Sequence, residues 1–209
     1  MTTPSRIQVL SVDDHPLLRE GIGAIINSQP DMFLVGAAAD GKGAIEAFRA
    51  LKPDVALLDL QLPDLNGIEV LIAIRNEFPN ARIIILTTFE RDAEVQRALK
   101  AGAQGYLLKS TPPKQMLETI RQVHSGRKSV SREVADSLAN HLGEESLSER
   151  ETEVLRHVAE GNRNRDIANK LFIAEETVKV HVKHIMGKLG AIDRTQSVTI
   201  AARRGIIYL

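Results

Sequence analysis

Residues 54–67, DVALLDLQLPDLNG, constrain this chain more than any other stretch: four apolar residues, one carboxylate, then a turn rich in Pro, Asp, Asn and Gly. Val55-Ala56-Leu57-Leu58 is apolar on both faces, as a strand must be in a parallel sheet covered on both sides, and it delivers Asp59 to the strand's carboxyl end. Open α/β sheets bind their ligands outside that end. Pro63 and Asn66-Gly67 end the strand and hold the next loop in a tight shape, which predicts a carboxylate at a rim and not in the core.

The flanking sequence repeats the same unit. Strands are predicted at Ile7 to Val12, Phe33 to Ala38, Ile83 to Thr87 and Ala103 to Leu108. Helices are predicted at Pro16 to Asn27, Gly41 to Leu51, Asn66 to Glu77, Glu90 to Lys100 and Pro112 to His124, the first opened by a proline at its first position. Five consecutive β-α units with right-handed crossovers make a doubly wound, five-stranded parallel sheet with helices on both faces.

The carboxyl ends of all five strands then lie along one edge. Asp13, Asp14, Asp59, Thr87 and Lys109 all follow on, or very near, a strand end. Each alone reads as a capping or surface residue. Together they bring three carboxylates, a hydroxyl and a lysine to one rim. Crowded carboxylates repel one another and favour a hard divalent cation, and Mg²⁺ suits a site with few protein ligands, retained water and a phosphate. The cation would screen one carboxylate enough for it to attack phosphorus and form an aspartyl phosphate. Lys109 and the Thr87 hydroxyl would hold the phosphoryl oxygens.

With VDDHPLLREG, LLDLQLPDLNG, ILTT and GYLLK in this order and spacing, residues 5–124 resemble the receiver domain of bacterial two-component response regulators. The resemblance implies that Asp59 is the phosphoacceptor, that Asp14, Asp59 and the backbone carbonyl of Gln61 bind Mg²⁺ directly, and that Asp13 acts largely through water. It makes Thr87 and Tyr106 a switch pair. It implies self-phosphotransfer and autodephosphorylation only, with no substrate turned over. Ser110 follows Lys109 where many receivers have proline.

Two other motifs compete. Gly36 to Lys42 (GAAADGK) matches the GxxxxGK of a P-loop ATPase, but Gly43 stands where that loop needs a Ser or Thr hydroxyl for Mg²⁺, and Asp13, Asp14 and Lys109 go unexplained. Gly21-Ile-Gly23 lacks the third glycine of a dinucleotide fingerprint, because Ile26 occupies its place inside a helix.

At 209 residues the chain has room for a second domain. Residues 1–124 form the first, and 125–146 a linker in which Ser125 to Lys128 is a break, Arg132 to His141 a short helix and Leu142 to Ser146 polar; residues 147–209 form the second. Ser148-Glu149-Arg150-Glu151 is a capping box opening a helix that stops at Gly161. Ile167, Ala168 and Leu171 mark a second helix, Phe172 to Ala174 a turn, Glu175 to Leu189 a third helix and Thr195 to Arg204 a fourth. The net charge is zero, with 13 basic and 15 acidic residues in 1–124, but residues 177–209 carry six basic and one acidic against five and nine in 144–176, a basic block that is either a solvated helix face or a phosphate-binding surface.

Val178, Val182, Ile185 and Leu189 form one apolar stripe on the third helix, leaving Lys179, Val180, Lys183 and His184 on the opposite face. Lysines reach phosphates or guanine edges, and a small apolar side chain meets a thymine methyl. His181 and His184 lack a third partner for a metal. LSERETEVLRHVAEGNRNRDIANKLF and TVKVHVKHIMGKL resemble the LuxR-type helix-turn-helix of the NarL/FixJ class over residues 147–207. The resemblance implies base contacts from Lys179, Val180 and Lys183 and phosphate contacts from Thr177, His181 and Lys188. Arg163 and Ala174 replace the Ser or Thr caps common before the second and third helices, and Glu175 and Glu176 offset part of that loss through the helix dipole.

The expectation is therefore a cytoplasmic regulator phosphorylated on Asp59 by a sensor histidine kinase and binding promoter DNA as a homodimer, with RNA polymerase a further candidate partner and no membrane contact. A regulator that binds DNA without phosphorylation is the alternative within the family, and a P-loop ATPase the alternative outside it. Absence of cysteine fits a reducing compartment, no apolar run reaches membrane-span length, and the N-terminus lacks a signal-peptide layout. The low aromatic content, 3%, argues against an autoinducer-binding pocket.

Overall fold

The computed structural model describes residues 6–88, 92–130 and 147–207, which fall into two compact units. In the first, β1 (Ile7–Val12), β2 (Met32–Ala38), β3 (Val55–Asp59), β4 (Ile83–Thr87) and β5 (Gly105–Leu108) pair in parallel in the order β2-β1-β3-β4-β5. The chain winds outward from β1 to β2, then reverses through β3, β4 and β5. A crevice between the carboxyl ends of β1 and β3 follows from that reversal. Asp13 leaves β1 on one side of it and Asp59 ends β3 on the other.

Central strands β3 and β4 are buried along their whole length, as apolar runs without alternation require. Val9, Val55, Leu57, Ile84, Leu86 and Leu107 share one face with residues of α1 (Pro16–Asn27) and α5 (Pro113–His124), including Ile22, Ile26, Ile120 and Val123. Helices α2 (Gly41–Leu51), α3 (Gly67–Glu77) and α4 (Asp92–Lys100) complete the β-α units. Pro112 and Asn66, predicted inside helices, stand at the N-caps of α5 and α3, and β5 starts two residues later than predicted.

One strand was not foreseen. β6 (Ser129–Val130) pairs in parallel with Gly105 and Tyr106, so the sheet has six strands and the chain re-enters it just after the predicted break at 125–128. Two residues are too few to show any period. The helix predicted at 132–141 and the polar linker at 142–146 lie outside the described residues.

The second unit has four helices among its described residues: α6 (Glu149–Ala159), α7 (Asn164–Leu171), α8 (Glu175–Leu189) and α9 (Arg194–Arg203). Val154, Leu155, Ile167, Val178, Ile185, Leu189 and Ala201 form its core, and Val182 of the predicted stripe is partly buried against it. The capping box closes both ways: the Ser148 hydroxyl accepts from the Glu151 N–H at 3.2 Å and the Glu151 carboxylate accepts from the Ser148 N–H at 2.7 Å. Ala174 leaves α8 without a side-chain cap, whereas Asp193 caps α9 by accepting from the Gln196 N–H at 2.7 Å. Before α7 the Arg163 guanidinium has no acceptor to offer, and Asp166 takes the Arg163 N–H at 3.2 Å instead.

Candidate functional site

The crevice gathers the predicted acidic residues. Ligand atoms of Asp13, Asp14, His15 and Asp59 all lie within 4.8 Å of one another. Asp14 is exposed at the mouth, but Asp13 and Asp59 are 0% and 2% exposed, so the rim position expected for Asp59 is a buried one. The cause is local. Residues 60–67 fold back on themselves, with Gly67 N–H donating to the Leu60 carbonyl at 2.9 Å and Gln61 bridged to Asn66. A Cβ at Gly67 would come within 2.2 Å of the Asp59 carbonyl oxygen, so this loop closes over Asp59 only with glycine there.

Lys109 covers the other side, its ammonium 2.7 Å from Asp13 and 2.8 Å from Asp59. Burial pushes the Asp59 carboxyl above the usual carboxylate range, helped by the charge of Asp13, while the bonds from Lys109 and the Gln61 N–H offset this only in part. The Lys109 ammonium is itself desolvated, but its bonds to Asp13 and Asp59 raise its pKa overall. The two buried carboxylates, Asp13 and Asp59, share the Lys109 ammonium, while the exposed Asp14 faces the His15 imidazole at 2.6 Å. Such a donor set, all hard oxygen apart from one imidazole, fits a divalent cation of the Mg²⁺ kind.

Thr87 and Tyr106 are both buried, at 1% and 0% exposure. The Thr87 carbonyl accepts from the Lys109 N–H at 2.6 Å, which ties the lysine's backbone to the end of β4. Tyr106 lies wholly inside the sheet, paired with Ile85 of β4.

The motifs single out neither His15 nor Asp64. His15 Nδ1 lies 2.6 Å from Asp14 and 3.1 Å from Asp13, and only its adjacency to the acidic pair could have signalled it. The Asp64 carboxylate accepts from the N–H groups of Gly41 and Lys42 at 2.6 and 3.0 Å, fastening the loop after Asp59 to the start of α2, and these bonds hold its carboxyl below the usual range. The same contacts dispose of the P-loop reading. Gly36 lies within β2, and the N–H groups that would cradle a phosphate are already bonded to Asp64 and, at Gly43, to Asp40.

In the second unit, Thr177, Lys179, Val180 and Lys183 lie exposed on α8, with Val180 at 50%, while His181 is partly buried. Lys179 pairs with Glu176 at 2.7 Å. Lys188 departs from this face: its ammonium lies 2.9 Å from the buried Glu151. Phe172, in the turn before α8, has a left-handed backbone (φ 54°) and is 94% exposed. Among the described residues no helix is long and apolar enough to cross a membrane.

Residues 9–121 match the family described as response regulator receiver domain, and residues 145–201 the bacterial regulatory proteins of the luxR family. The chain is 43% identical to the uncharacterized transcriptional regulatory protein YxjL of Bacillus subtilis, over 97% of this chain and 98% of that one. It is 39% identical to the response regulator protein VraR of Staphylococcus aureus, over 96% and 99%. Among solved structures, the response regulator RcsB in complex with DNA superposes with a TM-score of 0.73 at 27% identity, covering 95% of this chain and 99% of RcsB. The chain belongs to the two-component response regulators: it is a DNA-binding regulator that joins a receiver domain to a LuxR-type helix-turn-helix.

Proposed function

We propose that Asp59 takes a phosphoryl group from the phosphohistidine of a sensor kinase and that the phosphorylated protein binds promoter DNA through α8 as a homodimer in the cytoplasm. The observation that carries the phosphoacceptor assignment is the buried Asp59 at the carboxyl end of β3, with Lys109 held between it and Asp13. In the transfer an Asp59 oxygen attacks phosphorus, the P–N bond breaks, and its electrons leave on the imidazole. Family membership carries this self-transfer and autodephosphorylation, not turnover of an external substrate.

Asp14, Asp59 and the Gln61 carbonyl would hold Mg²⁺, with Asp13 acting through water. When bound, the cation offsets charge on the carboxylates and phosphoryl oxygens. Lys109, already within 3 Å of Asp59, pairs with the phosphoryl group, and Thr87 donates its hydroxyl to it. Tyr106 neighbours Ile85 across the β4–β5 pairing and relays the change at Thr87 to the face formed by α4 and α5. We assign 1–124 to the receiver, 125–146 to a linker and 147–209 to the DNA-binding domain.

On DNA, α8 lies in the major groove. Lys179, Val180 and Lys183 meet base edges, and Thr177 and His181 lie toward phosphates. Lys188 has to leave Glu151 before it can contact a phosphate, so its substitution reports the Glu151 pair as well as DNA. RNA polymerase is the further partner of a promoter-bound regulator.

A small phosphodonor with Mg²⁺ should add one phosphoryl mass to the intact protein, and Asp59→Asn should add none. Undiminished labelling of Asp59→Asn would overturn the assignment. Tight ATP binding that is lost in Lys42→Ala would overturn the whole reading in favour of an ATPase.

A further inference from the structure

The exposed side of α8 carries two acidic residues in its first turn, Glu175 and Glu176, and it is Glu176 whose carboxylate is joined to the Lys179 ammonium. Glu176, Lys179, Val180 and Lys183 stand at i, i+3, i+4 and i+7, which is a single stripe along a helix. Their opposite side is fixed by Val178, Ile185 and Leu189, all buried in the core. Glu176 is 81% exposed and accepts from the Lys179 ammonium at 2.7 Å. A helix laid in a major groove reads base edges with its N-terminal residues. Glu176 is the second residue of α8 and belongs among them.

A carboxylate on that stripe either finds a donor on a base or weakens binding to every duplex by repelling phosphate. The only base-edge donors in the major groove are the amino groups of cytosine and adenine, and a carboxylate accepts from cytosine N4. The partner of that cytosine offers O6 and N7 as acceptors to a lysine. A Glu–Lys pair already joined at hydrogen-bond distance presents an acceptor beside a donor, the complement of those two edges.

We propose that Glu176 is a specificity-determining residue that reads one G·C base pair together with Lys179, the carboxylate accepting from cytosine N4 and the ammonium donating to guanine. This rests on the assignment of α8 as the reading helix. It goes beyond that assignment in naming the base pair and in giving an acidic residue an attractive role.

The test is selection of bound duplexes from a randomised pool by the full-length protein, followed by titration of the selected duplex and its single-base variants. Wild type should require G·C at one position. Glu176→Ala should lose about five- to hundredfold of the discrimination there and keep the other positions. Glu176→Gln, which retains the side-chain length and so guards against a misfolded alanine variant, should shift that position toward A·T, because an amide pairs with adenine N6 and N7. A uniform gain in affinity on every duplex with the preference intact, or no change in either, would overturn the proposal. Lys183→Ala with wild-type affinity and preferences would instead remove α8 as the reading helix.

Discussion

Lys109 in the receiver and Lys188 in the helix-turn-helix each hold a nearly buried carboxylate, at 2.8 Å for Asp59 and 2.9 Å for Glu151, yet the two carboxyls are driven in opposite directions. Burial raises the Asp59 pKa, and the bonds from Lys109 and Gln61 do not make up for it while Asp13 adds repulsion. Burial also acts to raise that of Glu151, but Lys188 and the backbone and hydroxyl of Ser148 outweigh it, and the pKa falls. The same type of pair is thus over-supplied with negative charge in one place and satisfied in the other. A cleft whose carboxylates exceed their partners has a use for a cation and a phosphoryl group; a capping box closed by a lysine has a use for neither.

The largest effect expected from this contrast is on the satisfied pair. Lys188→Ala leaves the buried Glu151 carboxylate with its Ser148 bonds but no cation, and should cost the helix-turn-helix on the order of 3 kcal/mol, with no recovery on adding Mg²⁺. Lys109→Ala should also destabilise the receiver, but saturating Mg²⁺ should restore it. Urea unfolding followed by far-UV circular dichroism separates the two. Recovery of Lys188→Ala by Mg²⁺, or none for Lys109→Ala, breaks the distinction.

The dependence on pH should differ in sign. Glu151 has a folded pKa below its ordinary 4.5, so its contribution is present above that value and lost as the pH falls through the folded pKa. The stability advantage of wild type over Glu151→Gln should therefore shrink on acidification. Asp59 has a folded pKa above its ordinary 3.8, so its contribution is present below that value and lost as the pH rises through the folded pKa. Wild type without Mg²⁺ should lose ground to Asp59→Asn as the pH rises toward neutrality. Parallel pH trends for the two variants would contradict the assigned directions.

The smallest effect concerns a feature that both the sequence and the fold leave open. Ala174→Ser should cap α8 and stabilise the helix-turn-helix by about 1 kcal/mol. It should do so equally in wild type and Lys188→Ala, since the two sites share no partner. A larger gain in Lys188→Ala, read from the same urea curves, would mean that the Glu151 pair reaches further than its own bonds.

Much of this was legible from residue order. A parallel sheet brings every strand's carboxyl end to one edge, so Asp13, Asp14, Asp59, Thr87 and Lys109 could be placed together before any distance was known. Helix α8 could be bounded from its apolar stripe and the glycine after Leu189, whose left-handed backbone ends it. Other features depended on partners remote in sequence. The pairing of Lys188 with Glu151 could not be read from the sequence, because Glu151, 37 residues away, gives no local sign of reaching it. The burial of Asp59 depends on Lys109 and on how closely Gly67 lets its loop return, and the tie from Asp64 to α2 spans 22 and 23 residues. β6 was too short to carry a pattern.

Thermal unfolding of the full chain with increasing Mg²⁺, for wild type and Asp59→Asn at neutral pH, tests the central claim that the receiver holds an under-compensated carboxylate cluster built for a cation. Wild type should gain stability steadily as Mg²⁺ saturates, whereas Asp59→Asn should start at least as stable without Mg²⁺ and gain much less. A less stable Asp59→Asn that keeps the full Mg²⁺-dependent shift would show that Asp59 is neither the strained carboxylate nor a ligand, and would contradict the account.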